Sequence, residues 1–316
     1  TCALPISPEL SALARALGHD PEAIYEYVRN HIEYVPTYGL VNGAHGCLMA
    51  GRGNDWDQAS LLTALLRASG YTTRYRREHV IYYRADVAEW GGVETSSVTN
   101  LFTGSIHGAG NIPPYSDMYV VPRIWVEADI DSDWRQLDPA FKRYTDFSQP
   151  AWSNLTSFGE SSFLASAMSG ATTNSYSVQN VNVANIADAL VTCTTNVTSY
   201  ILENIPAVSA GELINGREIE PESVSSFPTD YPSSWSDLPL PSGYAFLPGY
   251  SVDPFNHIPA ANMHAVRFRH KNGATDDIDE TLKVHEVAAR RVSLVYDTSD
   301  SNRPKLYVDG TLEATG

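Results

Sequence analysis

Two side chains beside a glycine-rich turn, Cys47 and Asp55, are the first candidates for chemistry in this chain. The stretch from residue 51 to 74 (GRGNDWDQASLLTALLRASGYTTR) opens with two glycines and continues as an apolar helix pattern that stops at Gly70. Asn54 or Asp55 is the natural N-cap of that helix. A thiolate or carboxylate at a helix start lies at the positive end of the backbone dipole, which stabilises its charge.

Two later segments extend this pattern. Residues 123–127 read RIWVE, and residues 134–139 read WRQLDP. Together with the helix, they resemble the transglutaminase-like superfamily, in which a Cys begins the helix, a His-x-Trp-x-Glu strand follows, and an Asp lies in Trp-x-x-Leu-Asp-Pro. The resemblance implies an α+β, papain-like fold, in which the helix packs on an antiparallel sheet.

The resemblance also implies that two of the family's three catalytic residues are replaced. An ungapped count of the helix from Ala59 places the Cys position at Asp55, and the His position is Arg123. Only Asp138 matches the family triad. Amide chemistry of this kind needs a thiolate, an imidazole that takes its proton and a carboxylate that orients the imidazole. An arginine stays charged and cannot act as the base, so we expect a salt-bridge cluster at these positions.

Other arrangements of the same residues are less well supported. Asp55 and Asp138 could form the carboxylate pair of a glycosidase, but an arginine between them would hold both ionised and remove the general acid. Cys47 could be a displaced nucleophile, with His45 or His107 as its base. A cysteine in a packed core or a disulfide is the more common outcome.

Metal and cofactor signals are weak in this sequence. Cys2, Cys47 and Cys193 show no zinc spacing, and no two histidines lie at i, i+4 on a convincing helix. Asp129, Asp131 and Asp133 alternate as at the start of a calcium loop, but the glycine and glutamate of such a loop are missing. We therefore expect an acidic hairpin turn, with a weak cation site as the alternative, and no cofactor.

Composition restricts the partners and the compartment. The 316 residues carry 37 acidic and 21 basic side chains, a formal net charge of −16. A field of that sign repels nucleic acid and anionic membrane surfaces. No apolar run approaches the ~20 residues that cross a bilayer. Abundant Ser, Thr, Asn and Tyr, with few Lys, favour a secreted or cell-surface protein.

The chain divides into three regions on composition. We expect the transglutaminase-like domain over residues 1–148, with residues 36–50 as a loop. Asp20 and Pro21 indicate the start of a helix, and strands are expected at 72–83, 119–130 and 134–137. A Ser-, Thr-, Asn- and Pro-rich connector follows over residues 149–235, with a helix at 181–202 and an Asn-Gly hairpin at 213–219. Residues 236–316 form a β-rich segment, with strands expected at 265–269, 281–287, 291–296 and 305–311, that ends as though truncated. This arrangement is similar to the opening of large bacterial surface proteins, some of which carry RHS-type repeats.

Two functions are consistent with these features. The first is a catalytically degenerate module that binds a protein or peptide segment, from its own parent chain or from further copies, as in a surface assembly or filament. Trp56, Trp90 and Trp125 would line its groove. The alternative is an active acyl transferase or peptidase that uses Cys47.

Overall fold

The computed structural model describes residues 6–112, 115–147, 158–213, 216–229, 252–272, 275–300 and 303–316. The α-helices of this part of the chain are α1 (Pro8–Ala16), α2 (Pro21–His31), α3 (Gly43–Ala50), α4 (Asp55–Ala68), α5 (Arg84–Gly91), α6 (Glu160–Ala167), α7 (Val183–Asn204), α8 (Ala210–Leu213) and α9 (Val284–Val287). Short 3₁₀ turns lie at Thr95–Ser97 and Ala260–Asn262, and a π-helical turn lies at Thr99–Thr103.

The strands of the described residues are β1 (Glu33–Tyr34), β2 (Arg52–Gly53), β3 (Thr73–Tyr83), β4 (Gly110–Ile112), β5 (Tyr115–Ile130), β6 (Asp133–Leu137), β7 (Tyr144–Asp146), β8 (Thr172–Thr173), β9 (Val178–Gln179), β10 (Arg217–Ile219), β11 (Val252–Phe255), β12 (Ala265–Asn272), β13 (Thr275–Lys283), β14 (Val292–Asp297), β15 (Arg303–Val308) and β16 (Thr311–Thr315). Two compact units contain them. One comprises the described residues of Thr1–Arg143 and Ile219–Gly316, and the other those of Tyr144–Glu218.

The main sheet of the first unit is antiparallel and has the order β11-β3-β5-β4, with β6 also paired to β5. Helix α4 packs on it, and α1 and α2 pack on α4. The core between them is apolar and includes Ile24, Leu62, Leu65, Ile124 and Val126. This arrangement confirms the α+β prediction, and the strands over residues 73–83 and 115–130 are close to those expected from the sequence.

The C-terminal part of the first unit is rich in strands, as expected. β12 pairs with β13, and β14, β15 and β16 form a three-stranded antiparallel sheet. The predicted strand over residues 281–287 is only partly correct, because the chain turns into α9 at Val284. This short helix packs against α3.

The expected loop over residues 36–50 is wrong in its second half, which forms α3. A loop was expected because glycines disfavour helices. Here a glycine allows close packing instead: a Cβ on Gly46 would lie 2.8 Å from the Cβ of Ala288. The hairpin expected over residues 213–219 is also wrong on its first side, where Leu213 ends a short helix. Its Asn-Gly tip includes Asn215, which lies outside the described residues.

The second unit contains α6, the hairpin of β8 and β9, and the long helix α7. The helix predicted at 181–202 is observed at Val183–Asn204. No residue of α7 is buried, and Leu190 and Leu202 are more than half exposed. The domain boundaries at residues 148 and 235 stay a prediction.

Gly53 allows α3 and α4 to approach each other, because a Cβ there would lie 2.7 Å from the Cβ of Asp57 and 2.8 Å from the Sγ of Cys47. We predict that Gly53→Ala lowers the free energy of unfolding by about 1–3 kcal/mol, the usual cost of overpacking a core. Chemical denaturation measures this change. Gly104→Ala is the matched control, because nothing lies within 4 Å of its Cβ position. Equal losses in both variants would contradict the packing argument.

Candidate functional site

The first turn of α4 places Asp55 at the sheet. The side chain of Asn54 caps the helix by accepting the N–H of Asp57 at 2.9 Å. Asp55 is therefore the first helical residue, and only 3% of it is exposed. The capping amide fixes where the helix begins, and that position fixes the direction of the Asp55 carboxylate.

A gap in strand pairing receives this carboxylate. On the edge of β5 away from β3, pairing with β4 ends at Val120 and pairing with β6 begins at Val126. Within the gap, the N–H of Ile124 donates to Asp55 Oδ2 at 3.2 Å. Asp55 thus supplies a hydrogen bond that a neighbouring strand would otherwise make.

Arg123 joins Asp55 to Asp138. Its Nε donates to Asp55 Oδ2 at 3.3 Å, and its Nη2 contacts both carboxylate oxygens of Asp138, at 2.8 and 2.9 Å. All three residues are buried, with 1–6% of each exposed. The three positions identified in the sequence therefore lie together and form one buried, charge-assisted network.

Aromatic rings surround the guanidinium. Its central carbon lies 4.5 Å from the ring centre of Trp90, and the hydroxyl of Tyr82 accepts a hydrogen bond from Nη1. Trp90 stacks on Tyr34 with ring centres 4.0 Å apart and donates its indole N–H to the carbonyl of Ala140 at 2.9 Å. These contacts leave Arg123 no room to change its rotamer without disturbing the core.

Burial dominates the electrostatics of Asp55. Loss of water raises its pKa to about 6, the neighbouring Arg123 opposes the rise, and Asp138 adds to it. We expected the arginine to hold this carboxyl firmly ionised. Desolvation outweighs the attraction of Arg123, so the pKa of Asp55 lies above its ordinary value of 3.8 rather than below it. At neutral pH the group is still mostly a carboxylate.

Cys47 lies in the apolar core and does not face this cluster. It is free and fully buried, and burial and the nearby Asp57 carboxylate raise its pKa well above the usual value. His45, one suggested base, instead contacts Ser7 Oγ at 3.2 Å, and His107 packs against the ring of Tyr38. A thiol in these surroundings is a poor nucleophile.

The tryptophans do not line an open groove, which corrects the expectation. Trp56, Trp90 and Trp125 are each no more than 1% exposed. Trp125 donates its indole N–H to Gln136, and Trp56 packs edge-on against Tyr38. Large aromatic side chains contribute most to a core when they are fully buried, and these three act in that way.

The alternating aspartates lie at a tight turn between β5 and β6. Asp131 and Ser132 both have positive φ, 55° and 67°, as a two-residue hairpin turn of type I′ requires. Asp133 pairs with Arg135 at 3.2 Å. No group of three or more His, Cys, Asp or Glu side chains suited to a metal occurs among the described residues.

Sequence reasoning missed Asp57, which fixes the start of α3. Its Oδ1 accepts the N–H groups of Val41, Asn42 and Gly43 at 3.0, 2.7 and 2.8 Å. Burial raises the pKa of Asp57 to about 6, and these three hydrogen bonds limit the rise. A second acid in the first turn of a helix was the only sequence signal, and it is a common one.

Lys142 is a second buried polar residue that no pattern in the sequence indicated. Its Nζ donates to the carbonyls of Val28, Arg29 and Pro139, and burial lowers its pKa well below the usual value. The first two carbonyls belong to the last turns of α2, so Lys142 satisfies acceptors that a helix end leaves open.

Comparison with known proteins agrees with this geometry. Residues 9–139 match the family model of the transglutaminase-like superfamily. This region is a transglutaminase-like domain. No curated protein and no solved structure gives a significant match to the chain. No helix among the described residues is long and apolar enough to cross a membrane.

We predict that Arg123→Gln lowers the free energy of unfolding of the transglutaminase-like domain by about 3–5 kcal/mol, because it leaves two buried carboxylates without their cation. Denaturant titration measures the loss. Arg267→Gln is the control, because its pair with Asp279 is largely exposed and should contribute about 1 kcal/mol or less. Similar losses in the two variants would show that the buried network adds no special stability.

Asp57 should also make stability depend on pH. Its folded pKa of about 6 exceeds the ordinary value of 3.8, so its stabilising contribution is complete below pH 3.8 and is lost as the pH rises through 6. Between pH 5 and 7 this loss is about 1 kcal/mol. We predict that Asp57→Asn, although less stable overall, removes that part of the decline.

Denaturation curves at pH 5, 6 and 7 measure this effect. Asp131→Asn, at the exposed hairpin turn, is the control and should keep the wild-type dependence. A wild-type slope that persists in Asp57→Asn would assign the pH dependence to other groups.

Proposed function

We propose that the transglutaminase-like domain is a catalytically degenerate module that binds a protein or peptide segment without transforming it. The observation that carries the proposal is the buried pairing of Arg123 with Asp55 and Asp138. These residues occupy the positions that the family resemblance assigns to its nucleophile, base and orienting acid. A salt-bridged carboxylate and a guanidinium supply neither a thiolate nor a proton acceptor.

The state of Cys47 supports the same proposal. An active enzyme of the alternative kind needs a cysteine that becomes a thiolate near neutral pH and reaches its substrate. Cys47 is fully buried, and its pKa is raised rather than lowered. Its burial would have to be undone before any substrate could reach it.

The wider setting of the module is part of the proposal. An exported bacterial surface protein, in which the module contributes to assembly through its parent chain or further copies, is consistent with the acidic, Lys-poor composition. The Pro- and aromatic-rich connector is a candidate occupant of the binding surface. The Pro- and aromatic-rich stretch covers residues 221–259, beyond the end of the connector at residue 235, and residues 230–251 lie outside the described residues.

Site-resolved alkylation tests the degenerate state. We predict that iodoacetamide at pH 7.5 labels Cys193, which is partly exposed on α7, at least about tenfold faster than Cys47 in the folded protein. Mass spectrometry of the digested protein locates the label, and labelling in denaturant shows that both thiols can react. The comparison is internal, so reagent and protein concentrations are the same for both sites.

An activity assay is the second arm. Ammonia release from a glutamine-containing peptide should stay at the level of the blank, in the wild type and in Cys47→Ser alike. Rapid selective labelling of Cys47, or ammonia release that Cys47→Ser abolishes, would overturn the proposal and support the enzyme.

A further inference from the structure

Arg77 is an arginine without an anionic partner in the part of the chain that the structure describes. Its guanidinium lies 5.8 Å from the ring centre of Tyr38 and 5.9 Å from that of Trp56. Its Nε is buried and donates no hydrogen bond among the described residues. Arg123, by contrast, meets two carboxylates, and Arg143 contacts both Asp86 and Glu89. Among the described residues, the guanidinium of Arg77 contacts two aromatic rings and no carboxylate, although the chain has 37 acidic and 21 basic side chains.

Arg77 also lies next to the family's catalytic position. It pairs in register with Ile124, whose N–H donates to Asp55, and Trp56 follows Asp55 on α4. A ligand that contacts Arg77 would therefore lie beside the start of α4. This is the end of the helix where the family resemblance places the reacting residue.

The wall opposite Arg77 is rigidly held. The amide of Asn54 donates to Thr37 Oγ1 at 2.9 Å and to the carbonyl of Gly39 at 2.8 Å, one residue on either side of Tyr38. The carbonyl of Tyr38 itself lies 2.8 Å from His264 Nε2. Tyr38 is thus fixed from both ends, and a site that is ordered before binding loses less entropy when a ligand arrives.

Among the described residues, no Asp or Glu side chain makes a hydrogen bond, ion pair or ring contact with Tyr38 or His107. His107 packs edge-on against Tyr38 with ring centres 6.0 Å apart, and both His107 and His264 are exposed. Arginine, aromatic rings and histidines together suit a carboxylate, because the guanidinium offers paired N–H donors and the rings exclude water around them.

We propose that Arg77, Tyr38 and His107 form a recognition site for an acidic peptide segment, in which a Glu or Asp carboxylate binds the Arg77 guanidinium. The inference rests on the proposed function, because it names the class of segment that the degenerate module binds. The carboxylate would accept hydrogen bonds from the Nη groups of the guanidinium, and the neighbouring rings would hold the chain of the peptide.

Calorimetric titration with two blocked peptides tests this inference. One is acetyl-tetraglutamate amide and the other is acetyl-tetraglutamine amide, which has the same length and no charge. We expect the wild type to bind the acidic peptide, and Arg77→Gln to weaken that binding about tenfold or more. Arg15→Gln removes the same charge from the exposed surface of α1 and should leave the affinity within about twofold, as expected for a distant surface charge.

Two further readouts keep the test independent of folding defects. Thermal denaturation shows whether Arg77→Gln is folded. In the wild type, the Nε–Hε resonance of Arg77, followed by NMR, should shift on addition of the acidic peptide and not on addition of the neutral one. This shift would support direct contact even if the variant were unstable.

The possible failures are distinguishable. Equal weakening by Arg77→Gln and Arg15→Gln would assign the binding to overall charge and overturn the site. Binding of both peptides with no effect of Arg77→Gln would retain a peptide-binding module and overturn its acidic specificity. Absence of binding together with an unshifted Arg77 resonance would overturn this inference, whereas the alkylation of Cys47 would still test the loss of catalysis.

Discussion

The burial of polar side chains at the start of α4 is the constraint on which the rest of the first unit depends. Asn54, Asp55, Asp57 and Gln58 are each 3% exposed or less. A buried polar group without a hydrogen-bond partner lowers the stability of the fold by more than a formed hydrogen bond raises it. Each of these four therefore determines the position of a different segment: the loop before α3, strand β5, the start of α3, and the carbonyls of Glu33 and Gly53.

The same constraint explains why a carboxylate at the start of α4 is compatible with this fold. A helix start stabilises an anion whether it is a thiolate or a carboxylate. Asp55 occupies this position and also bonds the backbone of β5 in the gap between β4 and β6. Arg123, at the position where the family resemblance places an imidazole, is a fixed cation that contacts both Asp55 and Asp138. The geometry that would serve catalysis in the family is compatible here with a static, fully paired network.

The sequence predicted those parts of the fold in which local pattern and tertiary context agree. Asp20 and Pro21 mark the start of α2, Gly70 follows the end of α4, and the strands predicted over residues 72–83 and 119–130 are observed at 73–83 and 115–130. It failed for α3, whose helical state depends on Asp57, a residue 14 positions after the Gly43 that it caps. A cap of this kind is tertiary, and local propensity cannot reveal it.

The candidate site divides in the same way. Asp55, Arg123 and Asp138 could be found because their positions follow from linear motifs. The surrounding rings of Tyr34, Tyr82 and Trp90 come from three separate elements, and no spacing in the sequence relates them. The tryptophans were assigned to a groove because aromatic residues often line binding sites. Aromatic residues also stabilise a protein most when they are buried in its core. Residue type alone therefore could not distinguish a binding role from a core role.

The contrast between Arg77 and Arg123 shows what residue type leaves open. The two arginines lie on neighbouring antiparallel strands. Arg77 pairs with Ile124, the residue after Arg123, and Arg123 pairs with Glu78, the residue after Arg77. Arg123 is buried against two carboxylates and is therefore committed to the fold. The guanidinium of Arg77 lies 5.8 and 5.9 Å from the ring centres of Tyr38 and Trp56, and its Nε has no hydrogen-bond partner among the described residues. A carboxylate forms strong, charge-assisted hydrogen bonds with a guanidinium that is partly shielded from water. Arg77 is therefore a better candidate than Arg123 for the recognition of an acidic ligand. The residue proposed to bind a ligand, Arg77, would then lie one register position along the sheet from Arg123, which the family motif identifies.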